Sequence, residues 1–142
     1  MNLEKQVVSL ELSKQLKELG FKQDSIFEYR KFDGDKGFFW SSPLLVGKIP
    51  EKLGIANVGF GKLSTYTVAE LGEKLPDRLD EKAQATDYET HYFFEITKDV
   101  KNWEVSYRGS GDSGCKIFVG DENLSNAMAK VLIYLKENNL IK

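Results

Sequence analysis

Apolar residues recur at helical spacing near both ends of the chain. Near the N-terminus, three leucines share one helix face: Leu12, Leu16 and Leu19. Gly20 follows at the position where helices often end in a left-handed residue, so we expect a helix from Ser9 to Leu19. Near the C-terminus, the i, i+3, i+4, i+7 pattern is formed by Leu124, Ala127, Met128, Val131, Leu132 and Leu135. This second pattern predicts a helix over about Leu124 to Asn138.

Alternating apolar and polar positions in the second half predict an antiparallel meander. Its strands are expected at residues 88–97, 103–108 and 115–119. The C-terminal helix should pack on the face that carries Trp103. The opposite face carries Phe93 and Phe118, and we therefore expect another helix to cover it at least in part. The natural candidates are the N-terminal helix and the short helix described next.

A short central helix has a defined start and a defined end. Thr67 and Glu70 have the T-x-x-E spacing of a capping box, and the apolar residues Tyr66 and Leu71 flank it as a hydrophobic staple. Pro76 disfavours helical geometry at the residue before it, so the helix is predicted from Val68 to Leu75. The glycine inside it, Gly72, costs about 1 kcal/mol relative to alanine, which indicates close packing or a helix held by tertiary contacts.

The remaining segments carry weaker patterns. Aromatic residues predict a strand from Ser25 to Phe32 and a second from Phe38 to Trp40, with a hairpin turn over 33–37. Prolines and glycines in residues 41–64 predict irregular structure with short extended pieces, and such a long loop is either functional or a missed element. Residues 77–86 are polar and are predicted to be a surface connection. Together these elements predict one α+β domain over residues 1–142, an antiparallel meander sheet with helices packed on one or both faces.

Charge and composition narrow the classes of function. The chain has 142 residues and a net charge of −2, whereas nucleic-acid binders usually carry an excess of Lys and Arg. Its asymmetry is an acidic middle, since residues 63–95 hold three basic and eight acidic side chains. With one cysteine there is no intrachain disulfide, and no apolar run approaches a membrane span. We therefore expect a cytoplasmic protein without membrane association.

Three short motifs resemble functional sites but lack the required context. Gly111-Asp112-Ser113-Gly114 matches a serine-protease motif, yet the single histidine lies only 22 residues earlier and there is no room for two barrels. The wider segment 109–114 matches a dinucleotide fingerprint but leads into a strand instead of a helix. An EF-hand starting at Asp33 would need glycine at its sixth position and a carboxylate at its twelfth, where Phe38 and Leu44 stand. Both glycine-rich segments are predicted to be turns.

One polar cluster can be assembled on the Phe93 face of the meander, from His91, Glu95, Glu104, Arg108 and Lys116. A histidine beside carboxylates suits general acid–base chemistry, but the same residues also suit cross-strand charge pairs on a wet sheet face, which we favour. Cys115 alternates with Ile117 and Val119, so we expect a small buried side chain and not a nucleophile. With one His and one Cys, no catalytic residue, cofactor or metal ligand is predicted.

Two segments resemble small proteins of bacteriophages and prophages, namely Leu10–Gly20 and Tyr66–Pro76. About the last 55 residues, with Trp103 in a meander and the helix segment Ala127–Leu135, are similar to the phage ABA sandwich domain. These families have no assigned activity, so the resemblance implies a mobile-element accessory protein and assigns no functional residue.

These observations favour a non-catalytic protein-interaction domain with an unidentified protein partner. Two alternatives stay open: a small enzyme that uses the His91 cluster, and a nucleic-acid accessory protein that stacks bases on sheet aromatics. A homodimer is also an option, through residues 41–64 or another exposed patch.

Overall fold

The computed structural model describes residues 2–46, 61–82 and 88–142. In these residues the chain forms two four-stranded antiparallel sheets and three α-helices. The helices are α1 (Leu10–Glu18), α2 (Val68–Lys74) and α3 (Leu124–Glu137). The strands are β1 (Phe27–Gly34), β2 (Gly37–Trp40), β3 (Leu44–Leu45), β4 (Gly61–Thr65), β5 (Arg78–Lys82), β6 (Glu89–Lys98), β7 (Trp103–Gly109) and β8 (Cys115–Asp121). The predicted α+β class with antiparallel sheets is confirmed.

The first sheet is built around β1, which pairs with β2, β3 and β4. The predicted hairpin is confirmed, with Gly34 opposite Gly37 and a two-residue turn between them. The short extended pieces predicted within residues 41–64 are present as β3 and most of β4, and β4 runs antiparallel to β1 with Phe27 opposite Thr65. β4 is short and lacks a clear alternation of its own, so its pairing partner defines it. Residues 47–60 of that segment lie outside the described residues.

The second sheet has the strand order β5-β6-β7-β8, so the meander has four strands and not three. The prediction of a surface connection over residues 77–86 is wrong, because Arg78 to Lys82 form β5 along the edge of β6. The buried residue of β5 is Leu79, and its four neighbours in the strand are charged and exposed. In the sequence, such an edge strand has the same polar pattern as a surface loop, because only one of its residues reaches the core. Residues 83–87 are not described.

Of the three described helices, α3 packs directly on the second sheet, against β7 and β8, while α1 and α2 pack against α3. The core cluster unites Leu16 of α1, Leu71 of α2 and the apolar stripe of α3 with Val105 and Tyr107 of β7. This confirms that α3 lies on the Trp103 face. The prediction that α1 or α2 covers the opposite face is wrong, because both helices pack beside α3 and bury their own apolar residues there.

Local signals at the helix ends are confirmed. At the end of α1, Gly20 has φ of +85°, the Phe21 amide donates to the Leu16 carbonyl, and the Gly20 amide donates to the Lys17 carbonyl. This pair of bonds is a Schellman motif. In α2 both bonds of the capping box are present, between Thr67 and Glu70. The helix ends one residue before the predicted Leu75, which is already extended ahead of the proline.

An irregularity between β7 and β8 changes which side chains share a face. Tyr107 lies opposite Ile117, but the next residue, Arg108, lies opposite Cys115, so Lys116 is an extra residue in a β-bulge. The bulge turns Cys115 away from the Ile117 face. The prediction that Cys115 is buried is therefore wrong, and its thiol is exposed.

Among the described residues, none of the helices combines the length and the apolar character needed to cross a membrane.

Candidate functional site

The side of the second sheet that faces away from the helices carries most of the predicted polar cluster. Tyr92 and Phe94 of β6 pack against the core, so the alternate residues of β6 and its neighbours point outward. We call this surface the outer face; it consists of Arg78, Asp80, His91, Phe93, Glu95, Glu104, Ser106, Arg108 and Phe118. Four of the five predicted cluster residues are among them.

Arg108 and Glu95 form a cross-strand ion pair on the outer face. The distance from Arg108 Nε to Glu95 Oε2 is 2.8 Å, and the two side chains come from adjacent strands β7 and β6. The hydrogen bond to Glu95 raises the pKa of the Arg108 guanidinium. Glu104 lies further along β7 and accepts a hydrogen bond of 3.2 Å from the Thr97 hydroxyl. These contacts are the cross-strand charge and hydrogen-bond pairs that the sequence favoured.

His91 belongs to a second group, with residues that the sequence did not indicate. Its Nδ1 lies 2.7 Å from Asp80 Oδ1, and Arg78 Nε also lies 2.7 Å from that oxygen. The hydrogen bond from His91, followed in size by the hydrogen bond from Arg78, holds the pKa of Asp80 below its usual range. Arg78 and Asp80 were overlooked because they stand in a segment predicted to be a loop. Their spacing of two residues, which places both on one strand face, was the available signal.

The arrangement of His91 and Asp80 is half of a nucleophile-activating system. A carboxylate that orients an imidazole is useful in catalysis when the second ring nitrogen faces a nucleophile or a substrate. Among the described residues, no hydroxyl or thiol side chain hydrogen bonds to the His91 ring. The backbone amide of Ser110 donates to the His91 carbonyl at 3.3 Å, so the glycine-rich turn runs beside His91 without completing a triad. The segment 109–114 is a turn between β7 and β8, as predicted.

Lys116 does not share the outer face, and its assignment to the cluster is wrong. Its Nζ lies 2.8 Å from Glu81 Oε2. Glu81 lies opposite Thr90, whose alternation places it on the same side as Tyr92, the side of the helices. The ion pair to Glu81 raises the pKa of Lys116. The bulge at Lys116, which alternation alone does not reveal, is the physical reason for the change of side.

Two aromatic side chains stand on the outer face without a covering element. Phe93 on β6 is 49% exposed and Phe118 on β8 is 52% exposed, whereas most large apolar side chains of the second sheet's other face pack on the core. They lie on either side of β7, with Phe93 opposite Arg108 and Phe118 opposite the buried Ser106. The outer face therefore carries one exposed aromatic ring on β6 and one on the edge strand β8, together with the ion pairs of β5, β6 and β7.

No group of three or more His, Cys, Asp or Glu side chains in the described part of the chain is arranged to hold a metal ion. Comparison of the chain with protein-family models, with curated proteins and with solved structures finds no match.

Proposed function

We propose that this protein is a non-catalytic interaction domain that binds another protein through the outer face. The observation that carries the proposal is the exposure of Phe93 and Phe118 on a sheet face that none of the described helices covers. Aromatic and arginine side chains are enriched at the centres of protein–protein interfaces. Exposed apolar surface that is bordered by polar residues is typical of protein–protein interaction sites.

The dimensions of the outer face fit one modest interface. β6 has ten residues, and four strands lie side by side, so the face measures on the order of 600 Å² at typical strand spacings. Standard interfaces bury about 800 Å² on each partner. A partner surface of similar size, with apolar side chains against Phe93 and Phe118 and charges of both signs against the ion pairs, would match the outer face in a reversible complex.

Charge and burial support a protein partner over a nucleic acid. The outer face carries both signs, with Arg78 and Arg108 beside Asp80, Glu95 and Glu104, and so it lacks the excess of cations that phosphate contacts require.

The aromatic residues that could stack bases are Phe38, Phe39, Trp40, Trp103 and Tyr107. Phe38 and Phe39 are exposed on β2 of the first sheet. On the second sheet, Tyr107 is fully buried and donates to the Pro76 carbonyl, while Trp103 lies under the Lys98 ammonium group. Neither Trp103 nor Tyr107 lies on the outer face, since both alternate with its residues along β7.

An accessory protein of a phage or prophage, acting in the cytoplasm, is the biological setting that we propose. The resemblance of residues 10–20, 66–76 and the C-terminal part to phage proteins supports this setting.

The test is an affinity pull-down of the tagged protein from host lysate, with and without nuclease, read by mass spectrometry. The unmodified chain is compared with a Phe93→Ser, Phe118→Ser variant and with a control, Tyr88→Ser, Val100→Ser. The control removes two apolar side chains that are 82% and 91% exposed and are not part of the outer face. We expect a partner that survives nuclease, is retained by the control and is lost with the outer-face variant.

Four outcomes would contradict the proposal. Recovery that collapses on nuclease treatment would favour nucleic acid, and a partner retained by the outer-face variant would move the contact elsewhere. A dimer in light scattering that dissociates with the outer-face variant would make a second copy the occupant. A substrate that the pure protein turns over, with turnover lost in His91→Ala, would favour the enzyme.

A further inference from the structure

The first sheet borders a polar cavity that has no counterpart in the sequence analysis. Its volume is about 360 Å³, which is within the range of small-molecule sites. Six of its seven lining residues are polar: Gln23, Asp24, Ser25, Glu28, Lys62 and Ser64, with Val46 as the apolar one. Sequence-distant parts of the chain meet here, because Glu28 lies on β1 and both Lys62 and Ser64 lie on β4.

Glu28 contributes a buried side chain in which only one of the two carboxylate oxygens is paired. Its side chain is 7% exposed, and it pairs with Arg30, whose side chain is 9% exposed. Both contacts use the same oxygen, since Arg30 Nε lies 2.6 Å and Arg30 Nη2 lies 2.5 Å from Glu28 Oε1. No described residue donates a hydrogen bond to Glu28 Oε2, which is therefore an open acceptor on a side chain that lines the cavity.

Ser64 contributes a second open group beside the first. It lies directly opposite Glu28 in the antiparallel register, so the two side chains are on the same face of the sheet. Ser64 is 6% exposed, and its backbone amide donates to Gln23 Oε1 at 2.9 Å. Its hydroxyl has no hydrogen-bond partner among the described residues. Neither the Ser64 hydroxyl nor Glu28 Oε2 is sealed from solvent, since Ser13 Oγ is the one fully buried side-chain polar atom without a partner among the described residues. The cavity wall therefore offers a polar molecule a carboxylate oxygen and a hydroxyl that are both accessible.

The charged groups around the cavity indicate which kind of ligand it can bind. The Arg30 guanidinium offsets the Glu28 carboxylate, and the Asp24 carboxylate is offset by Lys74, whose Nζ lies 3.9 Å from Asp24 Oδ1. Lys62 forms no ion pair within the described part of the chain. A ligand with no net charge but with one positive and one negative group would meet a carboxylate oxygen at one end and an ammonium group at the other.

We propose that this cavity binds a small zwitterion of the amino-acid type. The ligand's ammonium group donates to Glu28 Oε2, its carboxylate accepts from Lys62, and the Ser64 hydroxyl bonds to it between them. The site is on the first sheet, so it is separate from the outer face of the second sheet and does not depend on the function proposed for that face.

The test is a titration of the whole ¹⁵N-labelled chain with glycine, L-serine and L-glutamine, followed by amide chemical shifts. Methylammonium and acetate serve as probes that carry one charged group each. We expect the three zwitterions to give saturable shifts at Glu28, Lys62 and Ser64, and affinity at least about tenfold weaker for the single-charge probes, because each loses a charge-assisted hydrogen bond. Absence of saturable shifts with all three zwitterions, or equal affinity for methylammonium, overturns the proposal.

Substitutions of the cavity residues test whether the ligand binds in this cavity. Lys62→Gln and Ser64→Ala should each weaken binding, the first by about tenfold, while Lys36→Gln in the β1–β2 turn should bind as the unmodified chain does. Because Glu28→Gln alone leaves Arg30 buried without a partner and can unfold the protein, the carboxylate is removed together with its partner in Glu28→Gln, Arg30→Met. Unchanged affinity in both Lys62→Gln and the double variant would place the ligand elsewhere and overturn the proposal.

Discussion

The Glu70 carboxylate accepts a hydrogen bond of 3.1 Å from the backbone amide of Ile26, a residue 44 positions earlier. The same carboxylate accepts from the Thr67 amide at 2.8 Å, which closes the capping box of α2. It also accepts from the Ser25 hydroxyl at 3.1 Å. One side chain therefore fixes both the start of α2 and the residues that lead into β1.

Replacing Glu70 should cost more stability than the loss of an ordinary helix cap. Glu70→Ala removes the capping-box bond to Thr67 and also leaves the Ile26 amide without its acceptor, so we expect the free energy of unfolding to fall by about 2 kcal/mol. The measurement is urea denaturation. Glu73→Ala, on an exposed position of the same helix, should change stability by less than about 0.5 kcal/mol. Equal effects of the two substitutions would show that the bonds of Glu70 do not contribute.

Glu70 should also make stability depend on pH. Partial burial raises its pKa, but the hydrogen bonds from the Thr67 and Ile26 amides outweigh burial, and the pKa lies below its ordinary value of 4.5. A carboxyl group with a lowered folded-state pKa stabilises the fold above its unfolded pKa, and this contribution is lost as pH falls through the folded pKa. The loss of stability between neutral pH and about pH 3 should therefore be smaller in Glu70→Gln than in the unmodified chain. Equal losses would contradict this assignment.

Gly72→Ala should stabilise the protein. Gly72 lies inside α2 without a positive φ, and a Cβ atom there would meet its nearest neighbour, Met128 Cε, at an ordinary 3.9 Å. The glycine is therefore not required by close packing, and alanine removes its entropic penalty of about 0.5–1 kcal/mol. The expected result is a higher midpoint of thermal unfolding. A lower midpoint would show that α3 cannot accept the added methyl group.

Two buried serines should respond in opposite directions to alanine. Ser13 on α1 is fully buried and its hydroxyl has no hydrogen-bond partner, whereas the hydroxyl of the fully buried Ser125 donates to the Gln6 carbonyl at 2.8 Å. Ser13→Ala removes an unsatisfied polar group and should raise the free energy of unfolding by up to about 1 kcal/mol. Ser125→Ala leaves the Gln6 carbonyl unpaired and should lower it by about 1 kcal/mol. Denaturant unfolding of both variants tests this prediction. A lower free energy of unfolding in Ser13→Ala would mean that the Ser13 hydroxyl is hydrogen-bonded in solution.

The contact between His91 and Asp80 can be tested by titration. Because the hydrogen bond from His91 is the main cause of the low Asp80 pKa, His91→Ala should raise that pKa toward its ordinary value of 3.8. Side-chain carboxyl NMR signals report it directly. Glu104→Gln, which alters the outer face without touching Asp80, should leave the Asp80 titration as it is. An unchanged Asp80 pKa in His91→Ala would mean that Arg78 alone holds the carboxylate.

Elements with strong local signals could be predicted from the sequence. The start and end of α2 follow from a capping box and a proline, and the end of α1 follows from Gly20, since these depend on contacts within four or five residues. The stripe of α3 and the alternation of β6 and β7 likewise define a buried side within each segment. The α+β class follows from these elements together.

The candidate sites depended on contacts between distant segments. The sequence placed His91, Glu95 and Arg108 on one face, but it could not reveal Asp80, because β5 is a strand only through its pairing with β6. The cavity at Glu28 was invisible for the same reason, since Ser64 becomes its neighbour only when β4 pairs with β1.

The sequence by itself determined the three helices, the meander from β6 to β8 and the side on which α3 packs, because periodicity within a segment decides which of its faces is apolar. Only the tertiary structure decided that β4 and β5 are strands, that α1 and α2 lie beside α3, and that Phe93 and Phe118 stand uncovered. A strand with a weak or strongly charged pattern is stabilised by hydrogen bonds to its partner strand and not by its own sequence. A β-bulge such as that at Lys116 moves the neighbouring side chains to the opposite face of the sheet. Neither effect leaves a pattern in the segment where it acts.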